Sequence, residues 1–274
     1  MKAIKLILLG VSLFSILPLG AQVFDKPRSL AEADSLDRVQ YRVLYQLDFI
    51  SDPTDREYVT QDQVRLDIGT QISKVYSLKH YQADSAATPL IETGQFPWKI
   101  VTDVVPPMIL YRGYPKTQDI TTDYRLPAGA PVMSYVEPKP TLQWQVKPEK
   151  REILGHSCQR AEVSFGGRQW IAWFTSEIPL SEGPYKFGGL PGLILEVADS
   201  EGDYRYTCIG IANLSAGENI VRWKWNQRPT TRKELEKIIV QLYANPEQAI
   251  KALGGRMGFK GDPMLNLPYN PIEK

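Results

Sequence analysis

Ser157-Cys-Gln-Arg-Ala-Glu-Val-Ser-Phe165 and Arg168-Gln-Trp-Ile-Ala-Trp-Phe-Thr175, joined by Gly166-Gly167, decide the fold. Each half alternates in the period of two expected of an extended strand, and the glycine pair tolerates the positive φ angles of a tight hairpin turn. In the second half Trp170, Ala172 and Phe174 point one way, while Ile171 and Trp173 point the other. Apolar residues on both sides predict a sheet covered on both faces: a sandwich, a partial barrel or a strongly curved sheet.

The same reading extends outward from this hairpin. Val39, Tyr41, Val43, Tyr45, Leu47 and Phe49 alternate with polar residues, and Val64, Leu66 and Ile68 repeat the pattern before Gly69. Shorter runs lie around 74–81, 109–114, 132–137 and 142–146, separated by Pro, Asn, Asp and Gly. Leu193 to Val197 and Asp203 to Ile211 make a second hairpin through Asp199-Ser-Glu-Gly-Asp203. The expectation is a mainly β, α+β protein built on a curved antiparallel sheet. A helical segment is expected over about 230–253. Thr231 and Glu234 form a capping box, Leu235, Ile238, Ile239, Leu242 and Tyr243 fall at helical spacing, and Asn245-Pro246 restarts a short helix that stops at Gly254-Gly255. The Pro-rich end, 261–274, reads as an extended tail.

Lys2 and Lys5 precede an apolar run from Leu6 to Leu19 that is too short to span a bilayer, which reads as a signal peptide over residues 1–21. Its removal takes two of 32 basic residues and none of 31 acidic ones, leaving a net charge of −1. That balance gives no footprint for nucleic acid or an anionic membrane. Residues 22–274 contain no Ser/Gly-rich linker and no internal repeat, so they read as one domain with no transmembrane segment.

Only two histidines, His80 and His156, are present. Zinc motifs, the G-x-S-x-G elbow, the Walker loop and the dinucleotide fingerprint are all missing, so no catalytic residue, metal or cofactor is assigned. Asp199, Glu201 and Asp203 lack the ligand order of a calcium loop and read as a solvated hairpin. Trp223 and Trp225 alternate with Arg222 and Lys224 as one aromatic face of an amphipathic strand. Cys158 and Cys208 are the only thiols; they read either as a disulfide suited to an oxidising compartment or as two separate buried thiols. Strand parity places Cys158 with Arg160 and Glu162, opposite Ala161 and Val163.

The remaining signal is Gly183-Pro-Tyr-Lys-Phe-Gly-Gly-Leu-Pro-Gly-Leu-Ile-Leu-Glu196. Leu190-Pro191-Gly192-Leu193 suits a type II turn, in which Pro fixes the first central φ and Gly accepts a positive second one. Gly183, Pro184, Gly188, Gly189, Leu190, Pro191, Gly192, Leu193 and Ile194 therefore form a structural motif that leads into a strand. A rigid loop of this kind presents Trp173, Tyr185 and Lys186, with Arg168 and Glu177, as candidates for binding a ligand or partner.

Together with Ile153-Leu-Gly-His-Ser-Cys158 and Gly167 to Pro179, this stretch resembles the GLPGLI family, whose letters stand at Gly189 to Ile194. Weaker likeness extends to Tyr41 to Ser51 and Asp67 to Ser77. The resemblance implies an exported, mainly β protein of Gram-negative bacteria, periplasmic or outer-membrane associated, with no established active site to carry over. The architecture also resembles periplasmic carriers that shelter acyl chains, although fold alone does not settle function. The functional expectation is a binding or envelope-accessory protein, its partner a lipid, a peptide or an outer-membrane protein. The alternative is an envelope hydrolase using carboxylates such as Glu177 and Glu196 with Arg168 or Lys186.

Overall fold

The computed structural model describes residues 26–95, 107–127, 129–214, 217–254 and 269–274. The expected signal peptide, residues 1–21, and residues 261–268 of the expected tail lie outside these. In chain order the strands are β1 (Ala33–Arg38), β2 (Tyr41–Phe49), β3 (Thr60–Ile68), β4 (Ser73–Ser77), β5 (Met108–Arg112), β6 (Asp119–Arg125) and β7 (Val132–Pro138). They continue as β8 (Gln145–Ile153), β9 (His156–Phe165), β10 (Arg168–Thr175), β11 (Leu193–Asp199), β12 (Tyr204–Asn213), β13 (Asn219–Trp223) and β14 (Gln227–Pro229). The helices are α1 (Leu78–Glu92), α2 (Arg232–Ala244) and α3 (Pro246–Ala252).

Twelve strands make one sheet in the order β14-β7-β6-β5-β4-β3-β2-β12-β11-β10-β9-β8, antiparallel except for the short β14–β7 pair. The two end strands do not pair with each other, so the sheet is open rather than a sandwich or closed barrel. It is strongly curved. Nine neighbouring strands laid flat would span about 38 Å at the usual interstrand spacing, yet side chains from β6 through β9 in this order share one apolar cluster. The concave side closes around residues 178–193, the crossing from β10 to β11, whose Tyr185, Phe187 and Leu190 are buried among the strands. The Phe187 ring lies 4.6 Å from Trp170 and 6.0 Å from both Phe165 and Tyr185, measured between centroids. Packing of this kind fixes the plug by shape as well as by burial.

Polar groups tie the plug to its walls. Arg112, itself 2% exposed, donates to the Phe187 carbonyl at 2.7 Å and pairs with Glu182 at 2.5 Å. Trp144 Nε1 donates to the Gly188 carbonyl at 2.8 Å, Ser181 Oγ to that of Leu190 at 2.8 Å, and the Tyr45 hydroxyl to that of Ile194 at 2.7 Å. An irregular segment can be buried only when its carbonyls find donors in this way.

Further layers complete one half of the sheet, a ribbon on its convex side and two helices on the face of β6 that carries Ile120. β1 and β13 form a separate antiparallel ribbon over a polar layer of Arg65, Asp67, Lys74, Asp123 and Arg222. Lys74 Nζ donates to the Val221 carbonyl at 2.8 Å and lies 3.3 Å from the Trp223 ring centre. Trp223 is therefore a buried packing residue, with Trp225 stacked on it at 5.1 Å. Leu235, Ile239 and Leu242 of α2 pack with Ile250 of α3 against Tyr124, Met133 and Tyr135 of β6 and β7. The Thr231–Glu234 capping box that starts α2 is fully formed.

Four local readings change. Residues 74–81 are not one extended run: β4 ends at Ser77, whose side chain accepts from the His80 N–H and caps α1. The turn of α1 is held by an N-cap and an alanine-rich body rather than by an amphipathic stripe, so no periodicity announced it. The 142–146 run also shifts, because the strand there is Gln145–Ile153. Cys158 joins Ala161 and Val163 in the core, because burial along β9 skips from position 158 to 161 and breaks the alternation. Finally, two-sided cover holds for only part of the sheet, since Ile171 and Trp173 on the outward side of β10 are half-buried.

Candidate functional site

The five binding candidates separate into two places. Arg168, Tyr185 and Lys186 are buried. Arg168 stands at the start of β10, where one guanidinium nitrogen meets Asp199 at 2.6 Å and Asp203 at 2.8 Å, and the other donates to the Asn270 side chain at 2.7 Å and the Pro271 carbonyl at 2.8 Å. Lys186 lies between Glu137 at 2.5 Å and Glu273 at 2.6 Å. Burial opposes its charge, but Glu273, Tyr135 and Glu137 prevail and hold the ammonium above its ordinary value. Tyr185, with φ of 51°, directs its hydroxyl to Glu273, and Arg232 at the start of α2 reaches the same carboxylate at 2.6 Å.

These contacts assemble a clasp around residues 269–274, the described end of the expected extended tail, which lie against the sheet. Ile272 packs on the main cluster, and the Tyr204 hydroxyl donates to the Asn270 carbonyl at 2.5 Å. Asn270, Glu273, Glu137, Arg232 and Tyr204 were all missed in sequence. Their partners are 66 to 103 residues away where Arg168, Lys186 and Tyr204 meet the segment, and no spacing rule reaches that far.

The tip of the Asp199–Asp203 hairpin, Ser200 to Gly202, is exposed, but the Asp199 and Asp203 side chains at its base are buried. Asp199, Glu201 and Asp203 bring carboxylate oxygens within 4.8 Å of one another, with only Glu201 exposed. Arg168 occupies the position a cation would take, while Arg56 and Lys274 pair with Asp203 and Glu201 at 2.6 and 2.7 Å. Burial pulls the Asp203 carboxyl up, but its bonds from Arg168, Arg56 and Asn270 overcome this and hold it at about 2. With its charge already neutralised by side chains, the trio does not fit a metal.

Trp173 and Glu177 lie on the outward side, at the other end of β10. Trp173 is opposite Arg160 on β9 and Glu196 on β11, and the pairing continues through Thr207, Gln46 and Gln63. One row of side chains thus crosses six strands. The Arg151 guanidinium sits 4.2 Å from the Trp173 ring centre and pairs with Glu196 at 2.7 Å. Arg160 meets Glu149 at 3.0 Å, and Arg205 meets Glu196 at 3.4 Å. Charges of both signs alternate, so the face carries no single-sign field. Glu177 accepts from the His156 ring at 2.7 Å and the Ser157 N–H at 3.1 Å, and those two bonds, His156 first, hold its carboxyl below the ordinary value. Glu196, already named with Glu177 as a candidate carboxylate, and Arg151, which sequence reasoning missed, complete this place, and strand pairing is what sets them beside Trp173.

Cys158 and Cys208 are free, buried thiols, so no disulfide is present. β10 and β11 stand between their strands, and each sulfur instead faces a carbonyl two residues away along its own chain, that of His156 at 3.5 Å and of Gly210 at 3.7 Å. Burial pushes both thiols up to about 11, the reverse of what a reactive cysteine requires. His80, in the first turn of α1, is buried in a small recess with Tyr76, Tyr81, Asp84, Arg125 and Trp223. Burial, then Arg125 and Arg28, push its imidazole well below the ordinary value, so it stays neutral.

Among the described residues, no helix is long and apolar enough to cross a membrane. No curated protein matches the chain. Two solved structures of PNGF-II, in P21 and C2 crystal forms, are similar at 12% identity and a TM-score of 0.48, over 73% of this chain and 32% of theirs. This chain therefore spans about a third of their length. Residues 167–196, which run from the hairpin glycine through Arg168, Trp173, Glu177, Tyr185 and Lys186 to Glu196, match a family described as "Protein of unknown function (Porph_ging)".

Proposed function

We propose that the protein is an exported binding or envelope-accessory protein of the GLPGLI type, periplasmic or outer-membrane associated, that engages its partner through the outward side of β9 to β12 around Trp173. The observation that carries this reading is the contrast between the two sides of the sheet. The concave side, where a carrier would shelter an acyl chain, is filled by Tyr185, Phe187 and Leu190 of the chain itself. Outside, a half-buried tryptophan stands in a row of Arg, Glu, Thr and Gln side chains. Aromatic and arginine groups on a rigid scaffold are the usual anchors of recognition. The balance of charge favours a neutral, polar partner, such as a peptide or a protein surface, over nucleic acid or anionic lipid.

The hydrolase alternative gains no support from Glu177. A general acid needs a carboxyl held above its ordinary value, whereas Glu177 is shifted the other way. The test is native mass spectrometry of the mature protein purified without detergent from its own envelope, alongside a Trp173→Ala variant. A bound species present on the wild type and lost from the folded variant is expected. Wild type and variant that both emerge empty, with no partner captured by cross-linking at residue 173, would overturn the reading.

A further inference from the structure

Residues 270–274 are read by side chains at every position. Asn270 is held by Arg168 and the Ile50 carbonyl at 2.7 and 2.8 Å, Pro271 by Arg168 at 2.8 Å, and Ile272 by the apolar cluster. Glu273 takes donors from Lys186, Arg232 and Tyr185, and Lys274 pairs with Glu201 at 2.7 Å. Backbone contact is fitted as closely: the Lys274 N–H donates to the Gly166 carbonyl at 2.7 Å, and a Cβ at Gly166 or Gly167 would come within 2.6 Å of Glu273 or 2.8 Å of Lys274.

The walls of this groove are also charge-paired without the segment. Arg168 keeps Asp199 and Asp203, Lys186 keeps Glu137, and Arg232 keeps Glu236 at 2.7 Å. Departure of the segment would therefore leave no isolated buried charge behind, the condition that makes removal of a buried ion costly. We propose that this groove is a sequence-selective peptide site for Asn-Pro-Ile-Glu-Lys, and that a second copy of this chain can supply the segment in place of the chain's own. The site is distinct from the outward face around Trp173 and stands whether or not that face binds anything.

The test uses the full chain carrying Asn270→Ala and Glu273→Ala, titrated with a fluorescent acetyl-Tyr-Asn-Pro-Ile-Glu-Lys peptide. In the wild type the chain's own segment competes for the groove, so added peptide binds weakly. The variant is expected to bind it at least about tenfold more tightly than the wild type. A peptide with Gln in place of Glu should bind the variant about tenfold more weakly, as loss of a charged hydrogen bond implies. A folded variant that binds neither peptide, or both equally, overturns the proposal. Should the variant not fold alone, recovery of native circular dichroism on adding the Glu peptide supports the site, and no recovery overturns it.

Discussion

Arg168 and Asp199 meet at 2.6 Å with each side chain 1% exposed, and the same arginine nitrogen reaches Asp203 at 2.8 Å. A guanidinium placed here joins the start of β10, the β11–β12 turn and residues 270–271 through one rigid fork of donors.

Arg168→Met removes that fork and leaves Asp199 buried without its partner. Destabilisation of about 3 to 5 kcal/mol is expected, measured by urea unfolding at pH 7. Asp203 has its carboxyl held low, and a lowered carboxyl stabilises the fold above its unfolded value and loses that contribution as pH falls toward about 2. The gap between wild type and variant should therefore narrow below about pH 4. Calcium should not restore the variant, because the trio is built around a guanidinium.

Gly189 and Gly192 flank Leu190-Pro191 in the crossing and should respond differently to alanine. Gly189 has φ of 85° with nothing within 4 Å of an added Cβ, so its substitution costs only the backbone preference, about 1 kcal/mol. Gly192 has φ of 153°, and a Cβ there would lie 2.0 Å from the Thr175 carbonyl oxygen. Gly192→Ala must displace β10 or the crossing, and a loss of more than about 3 kcal/mol is expected. Thermal melts of the two variants side by side would expose equal losses, the outcome this account does not permit.

The sequence carried some of this and hid the rest, for identifiable reasons. The β9–β10 hairpin was legible because alternation and Gly166-Gly167 are local signals, and α2 was legible because its capping box lies within four residues. Strand parity even held the clue that Arg168 and Trp173 face opposite ways, but their closeness in sequence to Tyr185, Lys186 and Glu177 drew all five into one loop-borne group. α1 was hidden because its buried residues, His80, Ala83, Asp84 and Ala87, include two polar ones and make no apolar stripe. The clasp was hidden because Glu273 and Lys186 are 87 residues apart and nothing local pairs them.

Cys158 and Cys208 provide a third test. As buried free thiols pushed up to about 11, both should resist alkylation in the native state and react fully in denaturant. Intact mass after alkylation in denaturant should show two modified thiols with or without prior reduction, and a reductant should leave the melting temperature unchanged. A mass lighter by two hydrogens before reduction would show instead that the strands can move enough to join them.

Asp62 gives the pH prediction with the opposite sign to Asp203. Its carboxyl on β3 is 1% exposed, and one oxygen has no hydrogen-bond partner. Burial raises it to about 6, only partly offset by the Ser77 hydroxyl, the Gln63 N–H and Lys79. A carboxyl raised on folding contributes its stability below the unfolded value near 4 and loses it as pH climbs through about 6. Asp62→Asn, uncharged at every pH, should therefore be more stable than the wild type at pH 7 to 8, by at most about 3 kcal/mol. That advantage should fade between about pH 6 and pH 4. Urea midpoints measured across this range would refute the assignment if the difference stayed flat, since burial would then not be keeping Asp62 protonated at pH 4.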